Sequence, residues 1–193
     1  MNKQLVLASS SPFRRELLDK LGLKFVCDSP DIDETAQPNE TPQQLVARLA
    51  QEKAKAVATR HPDALIIASD QCAVLEGNVL GKPGNHQTAV QQLQAASGKK
   101  VQFLTSLALF NSGTGNLQIE VCPFSVYFRT LSHTEIEGYL NKEQPYNCAG
   151  SFKSEGLGIT LFQRLQGDDP NTLIGLPLIR LTAMLGKEGI SIY

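Results

Sequence analysis

The feature that most constrains the fold is a short apolar strand running directly into a capped helix. Lys3–Ala8 has the length and the apolar run of a buried strand. Three serines follow; Ser11 is a favoured N-cap and Pro12 stands at the first helical position. The pattern predicts a helix to about Leu21, stopped by Gly22. The alternation then continues. Lys24–Cys27 reads as a second strand, and Ser29–Glu40 as a loop with Asp31, Asp33 and Glu34. Thr41-Pro42-Gln43-Gln44 is a capping box that opens a helix to about Arg60. Leu65–Ser69 reads as a central strand ending in Asp70, with short strands around the turn Glu76-Gly77-Asn78. Asn85–Ala96 reads as a helix stopped by Gly98, and Lys100–Phe110 with Leu117–Arg129 as a long hairpin around Ser112–Gly115. Ser132-His133-Thr134-Glu135 is a second capping box, for a helix to about Asn141. A glycine- and serine-rich loop, Gly150–Gly158, precedes the apolar Ile159–Phe162, and Pro177 starts a last helix to about Lys187. Early alternation followed by two long antiparallel strands predicts a three-layer α/β protein with a mixed sheet.

Composition excludes several function classes. The 193 residues suit one domain, or one domain with two lobes. A net charge of −1 gives no global pull on nucleic acid, and no basic–aromatic stripe marks a nucleic-acid module, so any anion site is local. Cys27, Cys72, Cys122 and Cys148 form no CxxC pair and read as free thiols of a reducing compartment. His61, His86 and His133 are too scattered for a metal cluster. Leu5–Ala8 is too short for a signal segment and no run approaches a membrane span, which predicts a cytoplasmic protein with no membrane partner.

Misplaced charges give the first functional signal. On a helical wheel with Leu45 at zero, Val46, Leu49, Ala50, Ala56 and Val57 fall on one arc, while Arg48, Gln51, Glu52 and Lys55 lie opposite. Lys53 falls in the middle of the apolar arc. Its amine either snorkels out to water or points into a cleft and meets an anion. Arg14 likewise falls on the apolar arc of Phe13, Leu17, Leu18 and Leu21, in a first turn where the helix dipole disfavours a cation. A phosphate there would reverse the penalty, cradled by serine hydroxyls and backbone N–H groups; pairing with a distant acid is the other reading. Asp70, at the end of its strand, is placed where open α/β sheets gather ligands, or is a turn residue. Lys82 in Gly81-Lys82-Pro83-Gly84 and Lys153 beside Gly156 are loop lysines. Neither GxxxxGK[ST] nor GxGxxG occurs. Scattered cations and acids suit a polyphosphate ligand with a divalent metal bridging carboxylates and phosphates.

Seven pieces, in order, resemble the Maf family of nucleotide pyrophosphatases: Leu7-Ala8-Ser9-Ser10-Ser11-Pro12-Phe13-Arg14-Arg15-Glu16-Leu17-Leu18, Asp33-Glu34, Ala50-Gln51-Glu52-Lys53-Ala54, Ser69-Asp70-Gln71, Gly81-Lys82-Pro83, Lys153-Ser154-Glu155-Gly156 and Gly175-Leu176-Pro177-Leu178. The resemblance implies a single domain over 1–193 with a Maf/Ham1-like fold, an elongated mixed sheet with helices on both faces and a cleft between two lobes. It implies hydrolysis of a nucleoside triphosphate to monophosphate and pyrophosphate, a divalent cation (Mg2+, Mn2+ or Co2+) and a homodimer. By the same resemblance Ser9, Arg14, Lys53, Lys82 and Lys153 bind the phosphates, Glu34 and Asp70 hold the metal, and Asp70 is the proton acceptor.

Phe13, Gln71 and Glu155 resemble the subgroup that acts on 7-methyl-GTP, where dTTP/UTP enzymes are similar in carrying arginine, threonine and glutamine. The chemistry agrees. N7-methylation makes guanine cationic, which suits an aromatic face, and a carboxylate accepts from both guanine N1–H and the N2 amine. Close members of the subgroup usually carry tryptophan at the position of Phe13, so lower selectivity for the methylated base is expected. The other readings are a dTTP/UTP or broader enzyme of the same family and a non-catalytic nucleotide-binding regulator, for instance of cell division.

Overall fold

The structure, a computed structural model, describes residues 3–193. In chain order the elements are β1 (Gln4–Leu7), α1 (Pro12–Asp19), β2 (Phe25–Cys27), α2 (Pro42–Ala58), β3 (Ala64–Leu75), β4 (Asn78–Leu80), α3 (His86–Ala96), β5 (Lys100–Asn111), β6 (Asn116–Phe128), α4 (His133–Glu143), β7 (Phe162–Gln166), α5 (Pro170–Ile174) and α6 (Leu178–Lys187). Short 3-10 turns cover Ala149–Ser151 and Leu157–Leu161. Among the described residues the seven strands form one sheet in the order β2-β1-β3-β5-β6-β7, with β4 paired to β3. The sheet is mixed: β1 runs parallel to β2 and β3, while β3–β4 and β6–β7 are antiparallel. No described helix is long and apolar enough to cross a membrane.

The chain separates into two compact units. The first holds the residues up to Gln71 with 105–122 and 169–193. Its strands alternate between two apolar layers, as a pleat of period two requires. Leu5, Leu7, Leu65, Ile67, Leu107 and Leu109 pack with Leu17 and Leu18 of α1 and Leu178, Leu181, Met184 and Leu185 of α6. Val6, Ala8, Ile66, Ala68 and Ala108 pack with Ala50, Ala54 and Val57 of α2. Helices therefore cover both faces here, the three layers that the alternation predicts.

The second unit holds 72–104 and 123–168. Here α3 and α4 pack together, burying Leu93 and Ala96 of one and Ile136 and Leu140 of the other. Phe152 stacks edge-on against Phe103, Phe128 and Phe162, with ring centroids 4.8–5.6 Å apart.

Local signals set the helix starts. Ser11 accepts from the Arg14 N–H, and both capping boxes close, Thr41 with Gln44 and Ser132 with Glu135. The turn Glu76-Gly77 has positive φ at both residues, the geometry of a two-residue hairpin.

Asp70 departs from the sequence expectation. It does not end its strand, because β3 runs on to Leu75. The polar Ser69-Asp70-Gln71 is carried inside the sheet by side chains of β5: the Asp70 N–H donates to Ser106 Oγ at 3.0 Å, and Ser106 Oγ donates to the Asp70 carbonyl at 3.1 Å. Two elements went unread. β7 (FQRLQ) is mostly exposed and carries no strand-like alternation, and α5 has only five residues.

Leu18 is fully buried between α1, α6 and the sheet. Leu18→Ala is expected to lower unfolding free energy by about 2–5 kcal/mol in urea titration; a loss under about 1 kcal/mol would contradict this packing.

Candidate active site

The site builds around one buried ammonium. Lys53 projects from the apolar face of α2 and is only 6% exposed. An unpaired charge there is costly, and two carboxylates meet it: Asp70 Oδ1 at 2.6 Å and Glu34 Oε1 at 2.8 Å. The snorkelling alternative is not what forms, since the amine turns inward. Asp70 is largely shielded while Glu34 reaches in from an exposed loop, with side-chain exposures of 14% and 60%. The Asp70 contact therefore has the stronger electrostatic hold on Lys53.

Strand pairing brings the serine–arginine turn to the same place. β1 and β3 are parallel neighbours with Leu7 opposite Ile67, and the Ala8 N–H donates to the Ile67 carbonyl at 2.8 Å. β1 ends there and β3 continues to Asp70, so the site lies at the carboxyl end of β1. Ser9 is buried, and its Oγ accepts from the Ser11 N–H at 3.1 Å. Arg14 Nε donates to the Gly175 carbonyl at 2.9 Å, which fixes the guanidinium. Burial lowers the Arg14 pKa, and the fields of Asp70 and Glu34 raise it in opposition. Arginine stays protonated under such shifts. Two cations, Arg14 and Lys53, thus stand with two carboxylates, Asp70 and Glu34.

The chain after α5 is the other wall of this group. The Gly175 carbonyl accepts from Ser69 Oγ at 2.8 Å as well as from Arg14, and Gly175 has φ of +125°, a region that L side chains rarely enter. Gln71 Nε2 donates to Thr105 Oγ1 at 2.8 Å and to the Thr172 and Leu173 carbonyls at 3.0 and 3.1 Å. Thr105 Oγ1 donates to the same Thr172 carbonyl at 2.9 Å. The amide of Gln71 is therefore engaged with α5. No local pattern marks Thr105 and Thr172, or Gly175 as the partner of Ser69, because these contacts join residues far apart along the chain.

The donor set fits a hard divalent cation. Glu34 and Asp70 carboxylate oxygens converge on one positive charge, the Lys53 ammonium. The described residues hold no cluster of three or more His, Cys, Asp or Glu side chains. Two carboxylates completed by substrate phosphates and water is how magnesium is commonly held.

Of the remaining predicted residues, Phe13 belongs to the first unit and Lys82, Lys153 and Glu155 to the second. Phe13 is half-buried on the first turn of α1, beside Arg14. In the second unit, Lys82 is exposed on the turn between β4 and α3, where the Gly84 N–H donates to the Tyr146 carbonyl at 2.9 Å. Lys153 and Glu155 sit on a loop shaped by α4. The Lys153 N–H donates to the buried Tyr139 hydroxyl at 3.1 Å, Lys153 Nζ lies 3.6 Å from Glu143 Oε1, and Glu143 Oε2 accepts from the Leu157 N–H at 2.8 Å. A Cβ at Gly158 would overlap the Lys153 carbonyl, so that position needs glycine. Burial raises the Tyr139 pKa, which keeps the hydroxyl protonated. Glu143 carried a legible signal: an acid at a helix C-terminus opposes the dipole and implies a partner beyond it.

The Maf-like protein family matches residues 4–188. The 7-methyl-GTP pyrophosphatase of Alcanivorax borkumensis is 61% identical over 188 residues, covering 97% of this chain and 95% of that protein. The 7-methyl-GTP pyrophosphatase of Pseudomonas syringae pv. tomato is 59% identical, covering 97% and 98%. Among solved structures, the Staphylococcus aureus Ham1 protein superposes with a TM-score of 0.58 at 14% identity, over 96% of this chain and 100% of that one, a likeness of fold alone. With the family spanning 4–188 and such relatives along nearly its whole length, the chain belongs to the Maf family.

Proposed function

We propose that this protein is a nucleoside triphosphate pyrophosphatase that hydrolyses 7-methyl-GTP to 7-methyl-GMP and diphosphate, removing modified nucleotides from the pool. The observation that carries the reading is the buried Lys53 ammonium held between Asp70 and Glu34, with Arg14 fixed alongside. Relatives at 61% and 59% identity that bear the name 7-methyl-GTP pyrophosphatase support the substrate.

In the first unit, Ser9, Arg14, the α1 N-terminus and Lys53 bind phosphate oxygens. Lys82 and Lys153, of the second unit, have the same role by family resemblance. Glu34 and Asp70 would hold a divalent cation, which when bound supplies positive charge to neutralise phosphate oxygens. Asp70 takes a proton from the water that attacks the α-phosphorus. The bond from the α-phosphorus to its bridging oxygen breaks, and pyrophosphate leaves with that oxygen. Phosphoryl chemistry asks chiefly for positioning and charge stabilisation, which accounts for a residue set rich in cations and without a Ser–His or Cys–His pair. Phe13 offers a face to the cationic methylguanine and Glu155 accepts from its N1–H and N2 amine. Gln71 acts through α5, to which its amide is bonded. The protein works as a cytoplasmic homodimer.

Asp70→Asn keeps the shape of the side chain and an oxygen for Lys53. It is expected to bind nucleotide yet lose about 100-fold or more in turnover, measured as pyrophosphate release; near-normal release would remove Asp70 as the base. Glu155→Gln combined with Phe13→Arg is expected to shift the ratio of kcat/KM toward dTTP and UTP. An unchanged ratio would show that these positions do not choose the base.

A further inference from the structure

The loop carrying Glu34 has no regular structure between β2 and α2, and the Glu34 side chain is mostly exposed. Its carboxylate nevertheless meets Lys53 at 2.8 Å. Holding a loop acid in one place requires that the loop backbone itself be pinned, against the entropy of a free segment. The pin comes from Arg48, five residues before Lys53 on α2. Arg48 Nε and Nη2 form a fork onto Glu40 Oε1 and Oε2 at 2.6 and 2.8 Å. Nη2 also donates to the carbonyl of Thr35, the residue after Glu34, at 3.0 Å, and Nη1 meets Glu52 Oε2 at 3.1 Å. Glu40 Oε2 accepts from the Gln37 N–H at 2.9 Å, and Asp33 Oδ1 accepts from the Thr35 N–H at 2.9 Å. The segment that follows Glu34, from Thr35 to Glu40, is thereby tied at both its ends to the helix that carries Lys53, and Asp33 is tied to its first residue. The fork is not an open surface pair: the side chains of Arg48 and Glu40 are 18% and 7% exposed. The fork holds the Glu40 carboxyl down to about 2, so it stays ionised.

We propose that Arg48 is a positioning residue: by clamping Glu40 and the Thr35 carbonyl onto α2, it holds Glu34 where it meets Lys53 and where it would ligate the divalent metal. The inference rests on the proposed role of Glu34 and adds to it a residue that touches neither substrate nor metal. Lysine cannot reproduce it, because a single ammonium lacks the fork that grips two carboxylate oxygens and a carbonyl together.

The test uses the full-length protein with Mn2+ as the probe. Free Mn2+ is read by electron paramagnetic resonance without nucleotide, alongside hydrogen exchange of residues 33–37, for wild type, Arg48→Met, Arg48→Lys, Glu34→Gln and the Arg48→Met/Glu34→Gln double variant. Arg48→Met is expected to weaken Mn2+ binding about 10–100-fold, the usual cost of losing a support behind a ligand, and to speed exchange at 33–37. Arg48→Lys should not restore either. In the Glu34→Gln background Arg48→Met should cost less than about 2-fold more, because both changes remove the same ligand. Where Arg48→Met does not fold, Glu40→Gln weakens the same fork and must give the same shift. Unchanged Mn2+ binding in a folded Arg48→Met or Glu40→Gln variant overturns the proposal, as do losses that multiply in the double variant. Absence of pyrophosphate release by the wild type would count against the proposed function instead; the binding and exchange readings judge Arg48 separately.

Discussion

One ammonium buried on the apolar face of α2 sets the terms for the first unit. Lys53 cannot remain there uncompensated, so Asp70 must come to it from β3 and Glu34 from the acidic loop. Bringing Asp70 to that point requires β1 to stop while β3 continues, and requires Ser106 to satisfy the Asp70 backbone inside the sheet. Bringing Glu34 there requires the loop before α2 to fold back along the helix. The result is a set of charges that is balanced without substrate, two positive and two negative. The polyphosphate and divalent cation of the proposed reaction would add charges of both signs, so the balance would be exchanged rather than lost.

The wall formed after α5 does different work. Ser69, Gln71 and Thr105 donate into the carbonyls from Thr172 to Gly175, and Arg14 shares the last of them. That arrangement spends the Nε of Arg14 on a fixed carbonyl and settles the guanidinium's orientation for the phosphate contact proposed for it. Preorganised donors of this kind cost no reorganisation at the moment of reaction. It also bonds the Gln71 amide to α5.

Features set by near neighbours were legible in the sequence. Both capping boxes, the Ser11-Pro12 start and the Glu76-Gly77 turn depend on residues within a few positions, and the wheel placed Lys53 and Arg14 on inner faces because helix periodicity is local. Features set by distant partners were not. Asp70 reads as a strand end because its backbone partner, Ser106, is 36 residues away. Arg48 reads correctly as an outward residue of α2, yet a loop covers it, and no pattern shows that Glu40 would turn back to meet it. β7 carries so few apolar side chains that only pairing to β6 defines it. The family resemblance supplied the grouping of Glu34, Lys53 and Asp70 that periodicity alone left as separate anomalies.

The account is tested most directly by a panel of nucleoside triphosphates, canonical and 7-methylated, incubated with the wild-type protein and Mg2+ or Mn2+ and read by pyrophosphate release. The account predicts stoichiometric release of pyrophosphate and 7-methyl-GMP from 7-methyl-GTP, at a higher kcat/KM than from dTTP or UTP. Release of orthophosphate in place of pyrophosphate, or no turnover of any nucleotide in the panel, would contradict it.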